Sequence, residues 1–226
     1  GADTYSGAPA VATLKNRSVL SIIFLTVFID LLGFGMILPL LPVWAEKFTA
    51  DKTAIIALSA AYSLAQFVCA PLWGRLSDRV GRRPIILLSL IGGSFSFLAM
   101  AYSPSLGYLY AARVVQGIFT AGGLASAPAL VADVTTREER ARGMGMIGAA
   151  FGLGFIFGPW FGGELGKIST ALPFYVAAAL CILNFFWAFV MLPETRPQRG
   201  AHPGGEGLFS LSRLIEALRH PELAFL

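Results

Sequence analysis

The amino-acid sequence predicts an all-α membrane protein, a bundle of six transmembrane helices with both chain termini in the cytoplasm. Hydrophobic residues make up 56% of the 226 residues, and charged residues make up only 13%. In a typical soluble domain about a quarter of the residues are charged. The hydrophobic residues are gathered into long runs, and the basic residues fall between these runs. Both observations indicate a chain that folds in lipid.

Six apolar runs are long enough to cross a bilayer. A hydrocarbon core about 30 Å thick requires roughly 20 residues of α-helix. We place the runs at residues 18–41, 53–73, 84–101, 107–132, 143–163 and 171–192. Pro84 and Pro173 lie near the starts of the third and sixth runs, where a missing N–H group costs least. The runs define a transmembrane domain at residues 18–192.

The first run is predicted to be a retained span and not a cleaved signal peptide. It follows Lys15 and Arg17, as the apolar part of a signal peptide would. However, it continues as far as residue 41, whereas the apolar part of a signal peptide has about 7–15 residues. Residues 1–17 are therefore assigned to a cytoplasmic N-terminal segment.

The basic residues indicate how the helices are oriented, because short loops rich in Lys and Arg resist translocation. With a cytoplasmic N-terminus, only Lys47, Lys52 and Lys167 fall on the outer side. Thirteen fall on the cytoplasmic side: Lys15, Arg17, Arg75, Arg79, Arg82, Arg83, Arg137, Arg140, Arg142, Arg196, Arg199, Arg213 and Arg219. Four of these arginines lie at residues 74–83, which we predict to be a cytoplasmic loop of about ten residues.

Residues 193–226 are predicted to form a cytoplasmic tail. Residues 193–207 are rich in Pro, Gly, Arg and Glu, as in a linker, and residues 208–218 form a short amphipathic stretch. The apolar residues that follow His220 resemble the first residues of a seventh span that has been cut off. The alternative is a C-terminal surface helix that lies on the cytoplasmic leaflet.

Several other functional classes are disfavoured. A net charge of +4 is compatible with nucleic-acid binding, but the basic residues lie between apolar runs and not on one accessible face. Cys69 and Cys181 lie inside apolar runs, which favours buried thiols over a disulfide or a metal site. His202 and His220 lie in the tail, and no enzyme motif is present. We therefore predict no nucleic-acid partner, no metal, no cofactor and no enzymatic activity.

Two ionisable residues inside the spans are the best candidates for function, because such residues are costly in lipid. Asp30 lies in the first span and Arg113 in the fourth. At 1.5 Å per residue, they lie roughly 18 Å and 21 Å above the cytoplasmic edge of the bilayer. Burial disfavours a charged carboxylate, whereas a nearby guanidinium favours it. We interpret Asp30 as a proton carrier; the alternative is a buried, hydrogen-bonded carboxyl group.

Arg113 and Gln66 also have structural interpretations. Arg113 either takes part in proton coupling or binds backbone carbonyls near Gly117 and Gly122. Gln66 lies in the second span and hydrogen-bonds either a substrate or another helix.

The fifth span carries a stripe of small residues. Gly154, Gly158 and Gly162 recur at four-residue spacing, with Pro159 and Gly163 beside them. Such a stripe allows another helix backbone to approach closely, and the proline removes one internal hydrogen bond and bends the helix. The spacing therefore predicts close helix packing in this span.

Five short motifs follow one another along the chain. They are Asp30-Leu-Leu-Gly-Phe-Gly-Met-Ile-Leu-Pro39, Gly74-Arg-Leu-Ser-Asp-Arg-Val-Gly-Arg-Arg-Pro84, Arg113-Val-Val-Gln-Gly117, Gly154-Phe-Ile-Phe-Gly-Pro-Trp-Phe-Gly-Gly163 and Leu192-Pro-Glu-Thr195. In this order they resemble the N-terminal half of a major facilitator superfamily transporter. Within that superfamily the resemblance is to drug:proton antiporters and especially to tetracycline-efflux proteins. It extends over about residues 18–196.

The resemblance implies a half of 3+3 inverted repeats and a role for each motif. The loop motif would latch the cytoplasmic sides of the two halves, and Asp78, Arg82 and Asp133 would form its charge relay. The implied gating residues are Gly74, Asp78, Arg79, Gly81, Arg82 and Asp133. Asp30 and Arg113 would couple transport to protons, and the implied substrate contacts are Gln66, Arg113 and Gln116. The implied antiporter motif comprises Gly154, Gly158, Pro159, Gly162 and Gly163.

Two features depart from the family pattern. Tetracycline-efflux proteins carry an acidic residue in the third span, where this chain has Ser96. The family has two six-helix halves with the substrate site between them, and this chain has one. The expected partners are therefore a second six-helix half or a homodimer partner, together with the lipid bilayer, protons and a small-molecule substrate.

The expected function is efflux of a lipophilic small molecule or drug, with tetracycline-like compounds as candidates, in exchange for protons by alternating access. The chain would act as half of a longer transporter or as a self-paired half, in a bacterial inner membrane or plasma membrane. One alternative is a proton-linked uptake carrier for sugars or metabolites, against which the fifth-span motif argues. The other is a membrane scaffold or inactive fragment that transports nothing.

Overall fold

The computed structural model describes residues 8–49 and 51–192, with side chains from residue 19 onward. These residues form α1 (Ala8–Ile37), α2 (Leu40–Ala45), α3 (Lys52–Val80), α4 (Arg82–Ala101), α5 (Leu106–Val134), α6 (Arg137–Ile168) and α7 (Leu172–Met191). All of these helices except α2 contain a stretch long and apolar enough to span a membrane. The predicted six-helix class is therefore confirmed. The predicted cytoplasmic tail at residues 193–226 lies outside the described residues.

The first predicted span is too long at its C-terminal end. The structure ends α1 at Ile37, and Pro39 then stands at the N-cap of the separate short helix α2. A proline inside a helix has no N–H group to donate and clashes with the preceding turn. The apolar run to residue 41 is thus divided between two helices.

The predicted ten-residue loop at residues 74–83 is wrong. Helix α3 continues to Val80 and α4 begins at Arg82, so that Gly81 alone separates them. Gly81 has φ 114° and ψ 159°, a conformation that is essentially limited to glycine. Its N–H group donates to the carbonyl oxygen of Ser77 at 3.0 Å. Hydropathy marks where the helix leaves the apolar layer, but the polar residues that follow continue the same backbone hydrogen bonding.

The helix packing gives the bundle two buried clusters, with Asp30 between them along α1. The most extensive contacts join α1 to α6, α3 to α5, and α4 to α5, followed by α7 with α4 and α1. One cluster surrounds Met36 and Phe174 and contains the C-terminal part of α1. The other surrounds Ile23 and Leu130 and contains the earlier part of α1.

The glycine stripe of α6 lies directly against α1. A Cβ atom on Gly154 would be 2.7 Å from the Cβ atom of Leu31, and one on Gly158 would be 2.7 Å from the Cα atom of Gly35. A Cβ atom on Gly162 would overlap the backbone of Met36. This is the close approach that the four-residue spacing predicts. Gly163, by contrast, has nothing within 4 Å of its Cβ position.

Candidate functional site

A cavity of about 290 Å³ is bounded by residues of α1, α3, α4, α5 and α6. Its lining is mostly aliphatic and aromatic. The polar lining side chains include Thr26, Asp30, Tyr62, Ser63, Gln66 and Thr120. Asp30 and Tyr62 are the ionisable residues of this lining, and it contains no Lys or Arg. The cavity therefore combines apolar walls with one carboxyl group.

Asp30 is positioned by the middle of α1, where it is half-buried at the cavity wall. No hydrogen bond or ion pair to this carboxyl group is found among the described residues. Tyr62 of α3 and Cys181 of α7 lie within electrostatic range of it. A carboxyl group that is partly removed from water and bound to no cation is chemically able to take up and release a proton.

Arg113 is separated from the cavity. It is only 1% exposed, and its Nη1 atom donates to Oε1 of Gln116 at 2.6 Å. The guanidinium carbon lies 4.8 Å from the ring centroid of Tyr62 and 6.0 Å from that of Phe34. These two aromatic rings face each other with centroids 5.1 Å apart, and both residues line the cavity. Its positive charge is thus stabilised by aromatic faces and an amide, and not by Asp30.

Tyr62 connects the two predicted coupling residues. The guanidinium carbon of Arg113 lies 4.8 Å from its ring centroid, and Asp30 lies within electrostatic range of its hydroxyl group. Gln66 lies one helical turn further along α3, lines the cavity, and donates from Nε2 to the Tyr62 hydroxyl at 3.0 Å. Tyr62 was not predicted as a site residue. Its position four residues before Gln66 on the same helix could have indicated it, because residues at this spacing lie on one helix face.

Among the predicted substrate contacts, the structure brings only Gln66 to the cavity. Gln116 is 1% exposed and does not line the cavity, and its side chain is engaged by Arg113. The predicted alternative was that Arg113 binds backbone carbonyls near Gly117. In the structure Arg113 donates to the Gln116 side chain, and Gly117 packs against the backbone of α3 at Tyr62. The substrate roles of Gln66, Arg113 and Gln116 remain predictions.

Three predicted gating residues meet where α3, α4 and α5 end or begin. Nη1 of Arg82 lies 2.5 Å from Oδ1 of Asp78, and Nε of Arg82 lies 3.1 Å from Oδ2 of Asp133. Ser77, which was not among the predicted gating residues, accepts a further hydrogen bond from Nη1 of Arg82 at 2.7 Å. Arg79 is exposed. One guanidinium therefore contacts both carboxylates, while the charge relay and its gating role remain predictions.

Ser96, the third-span residue that departs from the family pattern, lies away from the cavity. Ser96 is fully buried and donates to the carbonyl oxygen of Gly92 at 2.6 Å. It therefore takes no part in lining the site that contains Asp30.

Comparison with known proteins identifies the family. The family model described as Major Facilitator Superfamily matches residues 23–226. The chain is 42% identical over 188 residues to tetracycline resistance protein, class C, of Escherichia coli, which covers 80% of this chain and 46% of that protein. It is 30% identical over 202 residues to multidrug resistance protein 1 of Bacillus subtilis (strain 168), which covers 87% of this chain and 52% of that protein.

Solved structures agree with this assignment. The human organic anion transporter MFSD10 (TETRAN) is 32% identical with a TM-score of 0.72, over 80% of this chain and 49% of that one. A bacterial homologue of the human lysosomal transporter Spinster shares the fold, with 19% identity and a TM-score of 0.68 over 93% of this chain and 50% of that one. The chain spans about half the length of the curated relatives that it matches. It is an integral, multi-pass membrane protein that belongs to the major facilitator superfamily.

Proposed function

We propose that this chain supplies the proton-coupling half of a transporter that exports a lipophilic small molecule in exchange for protons. The observation that carries the proposal is Asp30, a carboxyl group with no ion-pair partner among the described residues, in a cavity with apolar walls. A carboxyl group in such a place changes charge whenever it binds or releases a proton. Proton binding and substrate binding therefore act on one site.

The cavity chemistry indicates which substrates to expect. Apolar walls favour a lipophilic molecule, and Gln66 offers an amide for one directional hydrogen bond. Asp30 favours a neutral or cationic molecule over an anion, because the lining has no cationic side chain and Arg113 is shielded by Tyr62 and Phe34. The name of one relative makes tetracycline the first compound to test, and the carboxyl group between apolar walls adds lipophilic cations.

Exchange follows from competition for the carboxyl group. When Asp30 is ionised, it attracts a cationic or dipolar substrate; when it is protonated, that attraction is lost and the substrate is released. Alternating access then requires a second six-helix unit against which this bundle rocks, either a second half or a second copy of this chain. We place the complete transporter in a bacterial inner membrane or plasma membrane.

The structure offers a mechanical basis for such rocking. Three glycines of α6 bring it close to α1, and Arg82 contacts carboxylates of α3 and α5 from the start of α4. Tight packing and ion pairing of this kind favour movement of the six helices as one body.

Everted membrane vesicles that contain the product of the whole gene provide the test. With an imposed pH gradient, acid inside, the addition of tetracycline or a lipophilic cation should release protons from the lumen and drive drug uptake. The Asp30→Asn variant should lose both while still inserting into the membrane. Glu46→Gln is the matched control, because it neutralises an exposed carboxylate outside the cavity and should change neither.

Two results would contradict the proposal. One is the absence of drug-linked proton movement for every compound of the tested classes in the parent protein. The other is normal coupled uptake in the Asp30→Asn variant, which would remove this residue from the mechanism.

A further inference from the structure

The hydroxyl groups of Thr26 and Ser126 are both buried without a hydrogen-bond partner among the described residues, and of the two only Thr26 lines the cavity. Serine and threonine in membrane helices commonly donate to a carbonyl three or four residues earlier. Ser89, Ser96 and Thr120 do so, at 2.8, 2.6 and 2.6 Å respectively. Oγ1 of Thr26 is buried and has no hydrogen-bond partner among the described residues, although its residue lines the cavity.

A second unpaired oxygen lies on the residue that is bonded to Thr26. Asn184 of α7 is fully buried, and its Nδ2 atom donates to the backbone oxygen of Thr26 at 2.9 Å. Its Oδ1 atom is also buried without a partner in the part of the chain that the structure describes. An unpaired buried polar atom costs about 1–3 kcal/mol, so two of them on adjoining residues require an explanation.

The pair lies next to Asp30. Thr26 is four residues before Asp30 in α1. Both side chains therefore lie on one helix face, with their Cβ atoms about 5–6 Å apart. Cys181, three residues before Asn184 in α7, lies within electrostatic range of Asp30. The unpaired oxygens of Thr26 and Asn184 therefore lie about one helical turn from the carboxyl group, where α1 packs against α7.

We propose that Thr26 and Asn184 hold a water molecule that hydrogen-bonds to Asp30 and relays its proton. The Thr26 hydroxyl donates to the water oxygen, and the water donates one O–H to Oδ1 of Asn184 and the other to the Asp30 carboxyl group. A buried water molecule requires two to four polar partners, and these three groups supply them. Thr26 and Asn184 are thus positioning residues that act through the water.

The relay balances without any further reactant. When Asp30 is protonated, its O–H group donates to the bound water, and the O–H group that this water gave to the ionised carboxylate points to the next water in the cavity. The O–H bond of Asp30 then breaks as an O–H bond to the bound water forms, and the bound water passes the proton that points to the next water. The bound water is regenerated, and one proton has moved. Only this use of the proton rests on the proposed exchange function; the water site itself does not depend on it.

Few other groups face Asp30 that would carry the proton instead. Tyr62 of α3 and Cys181 of α7 lie within electrostatic range, and Arg113 of α5 contacts Tyr62. Helices α4 and α6 contain no ionisable side chain at residues 85–101 and 143–163. A water held between α1 and α7 is therefore the direct route to the carboxyl group.

Infrared spectroscopy of the purified chain in lipid tests this inference. At acidic pH the carboxyl C=O band of Asp30 is assigned by its loss in Asp30→Asn. Thr26→Val should move this band to higher frequency and slow its exchange with D₂O several-fold, because the water loses a partner. Asn184→Leu should do the same. Thr26→Ser, which restores a hydroxyl, should retain the parent band and exchange rate.

The controls separate a bound water from a change in packing. Thr26→Val keeps the bond to Asn184, because that bond uses the backbone oxygen, so this variant stays informative even if Asn184→Leu fails to fold. Thr135→Val removes a buried hydroxyl that donates to the Val131 carbonyl, away from the cavity, and should leave the band unchanged.

Three outcomes would overturn the inference. They are an unchanged band in Thr26→Val, an equal shift in Thr26→Ser, and a shift produced by Na⁺ at fixed pH, which would indicate an ion in place of water. The band shifts test the bound water, and coupled efflux tests the proposed function, so the two can fail separately. A parent protein without coupled efflux but with the expected band shifts refutes exchange alone, whereas coupled efflux without band shifts refutes the water alone.

Discussion

Gly158 of α6 lies so close to Gly35 of α1 that a Cβ atom added to Gly158 would be 2.7 Å from the Cα atom of Gly35. No side chain separates the two backbones at this point. In lipid the hydrophobic effect does not hold helices together, so close van der Waals contact of this kind supplies much of the attraction. The relationship therefore makes the contact between α1 and α6 sensitive to a single methyl group.

Gly158→Ala should separate α1 from α6 and lower the free energy of unfolding by about 1–3 kcal/mol, as expected for overpacking. Gly163→Ala is the control, because open space surrounds its Cβ position, and it should be close to neutral. Thermal unfolding in detergent measures both. Equal stability of the two variants would show that the close contact does not hold the bundle together.

Gly81→Ala should destabilise the junction between α3 and α4 by about 1–3 kcal/mol, since the backbone there adopts a conformation that other residues avoid. Gly81 has φ 114°, whereas Gly74 is part of α3 and has nothing within 4 Å of its Cβ position. Gly74→Ala should therefore leave stability unchanged. A loss of transport in Gly74→Ala at normal stability would then assign that residue to gating.

Asp133→Asn should cost more stability than Asp78→Asn, although both carboxylates contact Arg82. The Asp133 side chain is 30% exposed and that of Asp78 is 60% exposed. An exposed ion pair contributes about 0–1 kcal/mol, whereas a more buried hydrogen bond to a charged group contributes about 1.5–3 kcal/mol. Denaturation at low and high salt checks the ranking. The effect of Asp78→Asn should largely vanish at high salt, where exposed charges are screened.

Gln66→Leu should mainly weaken substrate binding, whereas Gln116→Leu should mainly lower stability. Gln66 faces the cavity, so its loss should weaken drug binding several-fold with little change in stability. Gln116 accepts the hydrogen bond from buried Arg113, so its loss should leave a guanidinium under-bonded and lower stability by about 1.5–3 kcal/mol. Binding and thermal unfolding, measured on the same samples, distinguish the two. The reverse pattern would place Gln116 at the substrate site.

The spans were predictable because a bilayer imposes one length and one composition on every helix that crosses it. That constraint ends at the membrane surface, where the polar residues 74–80 extend α3 and residues 40–45 form α2. The loop at residues 74–83 was therefore predicted wrongly, and the end of the first span was placed a few residues too late, although Gly81 and Pro39 already marked the points at which the helices are interrupted.

At the candidate site, the sequence predicts which ionisable residues lie inside the bundle but not which residues they contact. The cost of an ionisable side chain in lipid was sufficient to select Asp30 and Arg113. It was not sufficient to pair them, because the partner of a side chain depends on the rotation of its helix about its own axis. The structure turns Arg113 towards Gln116, Tyr62 and Phe34, and leaves Asp30 at the cavity.

The sequence by itself determined the six spans, the family resemblance and the close packing of the fifth span, because hydropathy, motif order and glycine spacing are properties of the linear chain. Only the tertiary structure decided that Arg82 contacts both Asp78 and Asp133, that Tyr62 shields Arg113, and that Thr26 meets Asn184. These contacts join residues far apart in sequence. They depend on the rotation and depth of whole helices, which the packing of all the other side chains fixes together.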